Sequence, residues 1–321
     1  MGVALVAMLL GGARILSSLL GDDGAAADAG TATSEAPSTE TVSTETVSTE
    51  TVSTETASIE TVSIEATLST EPVSDEAAGT TVAPTTPVPR VPTAADPARV
   101  LIAGDSDAGT FGPYLQQLVS EMGVATTQLD YKVSSGLARP DFFDWPEHFR
   151  TAIPTQAPHV LVVTFGGNDS QGLTDGLDAA GQPNFIVGEP TGADDAEWRA
   201  EYGRRVGEVM DFLAADGRTL IWVGIPNDDN PDVTAKLQVQ DEVVRAEAAE
   251  RPGVVFIDTW ARFSGRDGNW AEYVIDPRDG QGKDVRADDD GFHLNTTGAE
   301  ILALDIAEAV RRSLRDRGAT V

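Results

Sequence analysis

Cysteine is absent from the 321 residues, so the chain has no disulfide bond, no thiolate nucleophile and no cysteine-ligated metal site. Histidine occurs only as His148, His159 and His293, and an imidazole general base must be one of these three. Basic residues are also scarce, because 22 Lys and Arg stand against 52 Asp and Glu, for a formal net charge of −30. A field of that sign repels nucleic acid and anionic lipid. We therefore expect oxygen and nitrogen chemistry and no nucleic-acid partner.

The N-terminal residues 1–24 begin with an apolar run that is interrupted by Arg14. Twenty residues of helix just span a hydrocarbon core of about 30 Å, and the small residues at 25–27 offer a cleavage site. We assign 1–24 to a signal peptide or a membrane anchor, with a buried helix of a cytosolic protein as the alternative. The prediction is an exported protein, secreted or held at the cell surface, with membrane contact only through this segment.

Residues 25–97 are rich in Ser, Thr, Glu and Pro, and Glu recurs at every fifth position from 35 to 65. This repeat has no aromatic residue, and its evenly spaced like charges repel one another, so it cannot bury a core. We predict a disordered linker. It is either a stalk that lifts a domain off the cell envelope or a neutral connection.

Residues 98–321 alternate apolar, β-rich runs with helical patterns. The predicted strands are 99–103, 128–133, 160–165, 219–225 and 254–257. The predicted helices are 114–122, 193–215, 232–250 and 297–314. This alternation predicts one α/β domain, with a doubly wound parallel sheet between two helical layers and a functional site at the carboxyl ends of the strands.

Two of these strands end in polar residues suited to catalysis. The first runs into Gly104-Asp105-Ser106-Asp107, which makes Ser106 a candidate nucleophile at a turn whose backbone N–H groups could bind an oxyanion. The alternative is an ordinary helix cap. The third strand runs into Gly166-Gly167-Asn168-Asp169, where Asn168 could donate to a substrate oxygen or simply form a turn.

An acidic loop precedes the last predicted helix, and in it His293 follows Asp290 by three residues. The carboxylate could accept a hydrogen bond from one imidazole nitrogen and leave the other nitrogen to take the serine proton. His148 and His159 lack such an arrangement, and we interpret both as structural.

Together these motifs resemble the SGNH (GDSL-type) hydrolase superfamily, in particular a bacterial cell-envelope branch. The matching blocks are, in chain order, Gly104-Asp105-Ser106, Gly167-Asn168-Asp169 and Asp290-Gly291-Phe292-His293-Leu294-Asn295. Gly136 is the best match to the glycine that follows the second strand in this superfamily. The resemblance covers roughly residues 100–310 and implies a flavodoxin-like SGNH hydrolase fold.

The resemblance also implies a serine esterase that needs no cofactor or metal. Ser106 would attack an ester carbonyl, His293 would remove its proton and Asp290 would orient the imidazole. The N–H groups of Ser106 and Gly136 and the amide of Asn168 would form the oxyanion hole. The substrate would be a small-molecule or glycan acyl ester, such as an O-acyl group of a cell-envelope glycan, and an O-acyltransferase would use the same triad.

Three features add to this pattern or depart from it. Asp107 directly follows the serine and is a candidate substrate-binding residue, whose charge would discourage anionic substrates. Arg139 could bind a carboxylate or sugar hydroxyl of the substrate, or it could pair with Asp141 or Asp144. The insertion 171–191 is either a lid or a disordered surface excursion.

Two other functions compete with the esterase. Asp105 and Asp107 after an apolar strand also resemble the aspartyl-phosphate loop of haloacid-dehalogenase-type phosphatases, in which Asp105 would be the nucleophile and Asp288 to Asp290 a late acidic pair for magnesium. A stalked binding domain without catalysis is the second alternative, because a fold alone does not prove activity.

Overall fold

The computed structural model describes residues 90–191, 195–288 and 290–321. The strands are β1 (Ala98–Gly104), β2 (Ala125–Tyr131), β3 (Val160–Thr164), β4 (Leu173–Leu177), β5 (Pro183–Val187), β6 (Thr219–Val223), β7 (Val254–Ile257), β8 (Tyr273–Ile275) and β9 (Gly282–Asp284). The helices are α1 (Ser106–Glu121), α2 (Trp145–Gln156), α3 (Ala196–Ala214), α4 (Pro231–Ala249), α5 (Thr259–Arg262) and α6 (Thr296–Asp316).

The central sheet has the strand order β2-β1-β3-β6-β7, and all of its pairings are parallel. Because β1 lies between β2 and β3, the loops that follow these three strands leave the same edge of the sheet side by side. The chain reverses its direction of winding at β1, where such folds place their sites. The predicted doubly wound α/β fold is confirmed.

The apolar strands bury side chains on both faces of this sheet, as parallel strands covered by helices must. Alternate residues of β1 and β3 point to opposite faces, so Ile102 and Val162 pack with α1 and α6, whereas Leu101 and Leu161 pack with α2, α3 and α4. Every residue of β3 is buried. The sheet therefore forms a rigid base for the loops at its carboxyl edge.

The first helix begins at Ser106, eight residues earlier than predicted. Glycine and proline at 109, 112 and 113 weaken the helical pattern in the sequence. In the fold these glycines let α1 approach the neighbouring strand closely, because a Cβ at Gly112 would overlap Leu129 and one at Gly109 would overlap Tyr131. The residues that weaken the helical pattern therefore allow close packing of α1 against β2.

The insertion 171–191 contains an antiparallel hairpin formed by β4 and β5. The interpretation of this segment as a disordered excursion is therefore wrong. Leu173 and Thr174 at its base are fully buried, whereas Leu177 and Phe185 further along are exposed.

The segment before β1 is also part of the folded unit, since Pro92 is buried and Arg90 contacts both Asp96 and His159. Residues 90–97, which the prediction places at the end of the linker, therefore contact the domain. The predicted segment 1–24 and the rest of 25–97 lie outside the described residues, and their assignments stay predictions. Within the ranges described above, no helix has the length and apolar character needed to cross a membrane.

Candidate active site

Ser106 lies at the junction of β1 and α1. Asp105 caps the helix by accepting a hydrogen bond from the Asp107 N–H at 3.0 Å, and Ser106 is the first helical residue. The N–H of a first helical residue has no partner within its own helix, and the positive end of the helix dipole favours negative charge at this point. The turn therefore combines a hydroxyl with a backbone donor suited to an oxyanion.

His293 meets Ser106 across 187 residues of sequence, with its Nε2 3.0 Å from the serine Oγ. Its Nδ1 is hydrogen-bonded to Oδ2 of Asp290. The other carboxylate oxygen, Oδ1, accepts the N–H groups of His293 at 2.9 Å and Phe292 at 3.1 Å. Glycine at position 291 allows this tight loop to form. Its φ of +72° is in the left-handed region, and a Cβ there would overlap Asp229.

The acidic surroundings of His293 favour its protonated form. Its hydrogen bond to Asp290 raises the pKa of His293 to about 9, against the opposing effect of burial, and the charges of Asp107 and Asp105 add to the rise. Burial alone would raise the pKa of Asp290, but its hydrogen bonds with His293 leave it below the ordinary value. The pair is therefore a protonated imidazole held by an ionised carboxylate at neutral pH.

Arg286 supports the histidine loop and was missed in the sequence. Its buried guanidinium donates to the carbonyl oxygens of Asn227, Phe263 and Phe292 at 2.9 to 3.1 Å. Burial lowers the pKa of Arg286 to about 10. One side chain thus joins the residue before His293 to two other loops. No local motif announces it, because its acceptors are backbone groups that are distant in sequence.

Asn168 lies in a short 3-10 turn, Gly167–Asp169, immediately after β3. Its Nδ2 donates to Oδ2 of Asp105 at 3.3 Å, and the same oxygen accepts the Gly166 N–H at 2.6 Å. Asp105 directly precedes Ser106, so these two hydrogen bonds connect the turn after β3 to the turn that carries the serine. A primary amide has two hydrogens, so this bond occupies only one of the donors of Asn168.

Gly136 lies in the loop after β2 and packs directly on Asp169. A Cβ at Gly136 would overlap the Asp169 carboxylate, which accepts the next two N–H groups, of Leu137 at 2.9 Å and Ala138 at 2.8 Å. The Tyr202 hydroxyl donates to the same carboxylate at 2.8 Å. Burial raises the pKa of Asp169 to about 6, although these hydrogen bonds oppose the rise. Asp169, the last residue of the Gly167-Asn168-Asp169 motif, thus holds the Gly136 loop against the Asn168 turn.

Asp107 points into the protein interior. Its Oδ2 is buried and has no hydrogen-bond partner in the described part of the chain, and it lies so close to Gly166 that a Cβ there would overlap it. Burial raises the pKa of Asp107, and the charge of His293 lowers it. The predicted contact of Asp107 with substrate gains no support from this buried oxygen.

The comparisons with known proteins give a family but no function. A family described as "Protein of unknown function (DUF459)" matches residues 99–309. The chain belongs to this family. No curated protein matches the sequence.

Several solved structures are similar to this DUF459 chain. One is a lipase/acylhydrolase from Enterococcus faecalis, with 13% identity, 67% of this chain and 96% of that chain covered, and a TM-score of 0.43. Another is a GDSL-like lipase from Bacteroides thetaiotaomicron, with 13% identity, coverage of 67% and 88%, and a TM-score of 0.45. A third is the C-terminal catalytic domain of peptidoglycan O-acetyltransferase A from Streptococcus pneumoniae, with 15% identity, coverage of 68% and 95%, and a TM-score of 0.41. At these identities and TM-scores, the similarities assign no reaction to the DUF459 chain.

Arg139 of the DUF459 domain forms a two-pronged ion pair with Asp141, at 2.8 and 2.6 Å. Its remaining nitrogen, Nη1, donates to Gln171 at 3.3 Å, and its guanidinium lies 5.2 Å from the centre of the Phe185 ring. Of the two roles that the sequence leaves open for Arg139, this geometry is the ion pair with Asp141. Its predicted contact with substrate has no support in this geometry, since its donors hold the loop after β2 to the hairpin.

Asp105 is fully buried, and both of its oxygens accept hydrogen bonds from the surrounding loops. A nucleophile must reach the phosphorus atom of its substrate, so the proposed phosphatase role of Asp105 is wrong for this geometry. The other two histidines make different contacts. His148 Nε2 lies 2.8 Å from Asp130. His159 precedes β3 and lies at the amino edge of the sheet, opposite the candidate site.

Proposed function

We propose that the DUF459 domain is a serine esterase that acts on acyl esters through Ser106, His293 and Asp290. A single observation carries the proposal. The Ser106 Oγ lies 3.0 Å from Nε2 of an imidazole whose Nδ1 is bonded to a carboxylate. In that arrangement, one nitrogen is held by Asp290 and the other is directed at the hydroxyl, as a general base for a serine nucleophile requires.

The reaction begins from neutral His293. Its Nε2 takes the Ser106 proton as Oγ attacks the ester carbonyl, and the bond to Asp290 stabilises the imidazolium that forms. The tetrahedral intermediate then collapses. The C–O bond to the alcohol breaks, His293 returns the proton to the leaving oxygen, and an acyl-serine remains. Water, deprotonated by the same nitrogen, releases the acid and restores Ser106.

The oxyanion in this proposal is held by the N–H groups of Ser106 and Gly136 and by the second amide hydrogen of Asn168. The helix start supports the first donor, and the contacts of Asp105 and Asp169 support the positions of the loops that carry the other two. Losing one such donor typically costs about 3 to 4 kcal/mol of activation free energy. Asn168→Ala should therefore reduce kcat more than it alters KM.

The proposed substrate is an O-acyl ester of a carbohydrate, such as a cell-envelope glycan. This part rests on the predicted N-terminal export segment and linker, which would present the domain outside the cell. A sugar hydroxyl in place of water would make the same residues an O-acyltransferase. Measuring free acid against transferred acyl group, with and without a glycan acceptor, separates the two reactions.

The primary test compares Ser106→Ala and His293→Ala with wild type in the hydrolysis of p-nitrophenyl acetate. We expect either change to reduce kcat by about 10³-fold or more. His148→Asn is the matched control, because His148 also contacts an aspartate, Asp130, but forms no hydrogen bond with Ser106 in the described part of the chain. A fluorophosphonate should label wild type and not Ser106→Ala. Full turnover by either active-site variant would show that the triad is wrong, and glycan binding by an unlabelled wild type would favour a binding domain.

A further inference from the structure

A groove of about 480 Å³ opens beside the Gly136 loop. Its walls come from this loop, from the start of α2, from α3 and from the β4–β5 hairpin. Its size falls within the range of small-molecule sites in proteins. Gly136, a proposed oxyanion donor, is part of its lining, so the groove and the proposed catalytic centre share one loop.

The contact between this loop and the groove walls is built from partly buried polar groups. Arg205 of α3 donates to the carbonyl oxygens of Leu137 at 2.9 Å, Ala138 at 3.3 Å and Thr174 at 2.7 Å. On the other side of the loop, the Asp169 carboxylate accepts hydrogen bonds from the N–H groups of Leu137 and Ala138. The peptide units after Gly136 are therefore fixed between the oxyanion loops and the groove.

Apolar side chains form about half of the groove surface. Phe143, Trp145 and Phe149 line it from the α2 side, and Val209 and Phe212 line it from α3. The indole N–H of Trp145 already donates to Ser135 Oγ at 2.8 Å. Trp145 therefore offers no polar hydrogen to an occupant.

The charged side chains in the lining are paired with protein groups. Glu201 pairs with both Arg204 and Arg205, at 2.7 and 2.8 Å, and Glu208 pairs with Arg204 at 2.8 Å. Arg150 pairs with Glu147 at 2.9 Å. The acids Asp144 and Asp175 accept hydrogen bonds from Glu147 N and Asn184 Nδ2. These charged groups already have protein partners, so the exposed apolar side chains of the groove are the part of its lining that an occupant would most favourably cover.

We propose that this groove binds the alkyl chain of a medium-length acyl ester, with the ester carbonyl at the Gly136 end. The inference rests on the proposed esterase function and narrows its substrate from acyl esters in general to those with an apolar acyl chain. Ile186 and Phe212 at the groove are 42% and 38% exposed, and an alkyl chain laid against them would remove this apolar surface from water.

Acyl-chain selectivity tests this proposal. We expect the kcat/KM of wild type to be at least about tenfold higher for p-nitrophenyl octanoate than for the acetate, since each buried methylene contributes roughly a factor of four. Ile186→Asp places a charge on the groove wall and should lower the octanoate-to-acetate ratio by about tenfold. Ile275→Asp is the matched control, because Ile275 is an exposed isoleucine on the β8–β9 hairpin and is not part of the groove. Its ratio should equal that of wild type.

A binding measurement separates failure of the groove from failure of the esterase. The neutral fluorescent probe N-phenyl-1-naphthylamine should bind Ser106→Ala, in competition with octanol, and Ile186→Asp should weaken probe binding by about tenfold. If acetate is hydrolysed but Ile186→Asp and Ile275→Asp have the same chain-length ratio and probe affinity, the groove assignment is wrong and the esterase stands. If no ester is hydrolysed, the esterase fails, and probe binding alone decides whether the groove holds apolar chains.

Discussion

The two edges of the central sheet each hold a histidine, and their surroundings have opposite charge. At the carboxyl edge, His293 faces Asp290, Asp107 and Asp105, and its pKa rises to about 9. At the amino edge, burial and three guanidinium groups lower the pKa of His159 to about 4. These groups belong to Arg90, Arg99 and Arg317.

The two imidazoles also differ in what their nitrogens contact. Nδ1 of His159 accepts the Arg99 N–H at 3.0 Å, and its Nε2 lies 3.1 Å from Arg90. Both nitrogens are thus occupied by structural groups. His293 uses one nitrogen for its carboxylate and directs the other at a hydroxyl. Neighbouring groups, and not the residue type, therefore distinguish a candidate base from a packing residue.

The strongest test of this contrast removes the charge that orients His293. Asp290→Asn keeps the size of the side chain but no longer stabilises the imidazolium, and its amide can favour the wrong tautomer. We expect kcat for p-nitrophenyl acetate to fall by about 10³-fold or more. Asp130→Asn is the control, since Asp130 makes the corresponding contact with His148. Equal effects of the two substitutions would mean that the Asp290 contact is structural.

A smaller loss should follow when the support of the oxyanion loop is weakened. Asp169→Asn replaces one acceptor oxygen by an NH2 group, which cannot accept the Leu137 or Ala138 N–H. We expect kcat to fall by about 10- to 100-fold while KM changes little. Melting temperature checks that the domain remains folded.

Tyr202→Phe provides the graded control for this change. It removes only the hydroxyl that donates to Asp169 and leaves both backbone contacts in place. Its effect on kcat should be smaller than that of Asp169→Asn. The reverse order would show that Asp169 does not act through the Gly136 loop.

Much of the carboxyl edge could be predicted because its signals are local. A buried apolar strand followed by a polar turn is visible in the sequence at both Ser106 and Asn168, and the three-residue spacing of Asp290 and His293 suffices for their contact. Nothing in these patterns gives the distance between the turn that carries Ser106 and the loop that carries His293. The 3.0 Å approach of His293 to Ser106 depends on the strand order and on the packing of α6 against α1.

Other features depend on contacts that no short pattern contains. The β4–β5 hairpin lies in a polar, Gly-rich segment, and its base is held by Arg205 and by the Thr174 contact with Asp141. Arg286 likewise bonds to backbone oxygens of three separate loops. The orientation of Asp107 follows from the absence of a side chain at Gly166, which the sequence contains but does not relate to position 107.

The acidic surroundings of His293 predict a pH profile. Only the neutral imidazole can accept the Ser106 proton, so kcat/KM should rise with pH and level off above about 9. The carboxylates facing His293 are Asp290 in its own loop, Asp107 in α1 and Asp105 before it. Asp107→Asn removes one negative charge, which destabilises the imidazolium and should move this limb by about one unit toward lower pH. A profile identical to that of wild type would show that Asp107 is neutral or too distant to influence His293.

The smallest effect is expected at the opposite edge of the sheet. In two-dimensional NMR, the His159 ring signals should titrate near pH 4 and those of His293 near pH 9, and His159→Gln should leave kcat/KM unchanged.

Because the folded-state pKa of His159 is below its unfolded value of about 6.5, the unfolded chain binds the extra proton as the pH falls from 6.5 to 4, and stability decreases over that range. His159→Gln should make the free energy of unfolding less dependent on pH there, as measured by urea denaturation. An unchanged slope, or a His159 signal that titrates near 6.5, would mean that the arginines at this edge do not disfavour the imidazolium and that the two edges differ less than their geometry indicates.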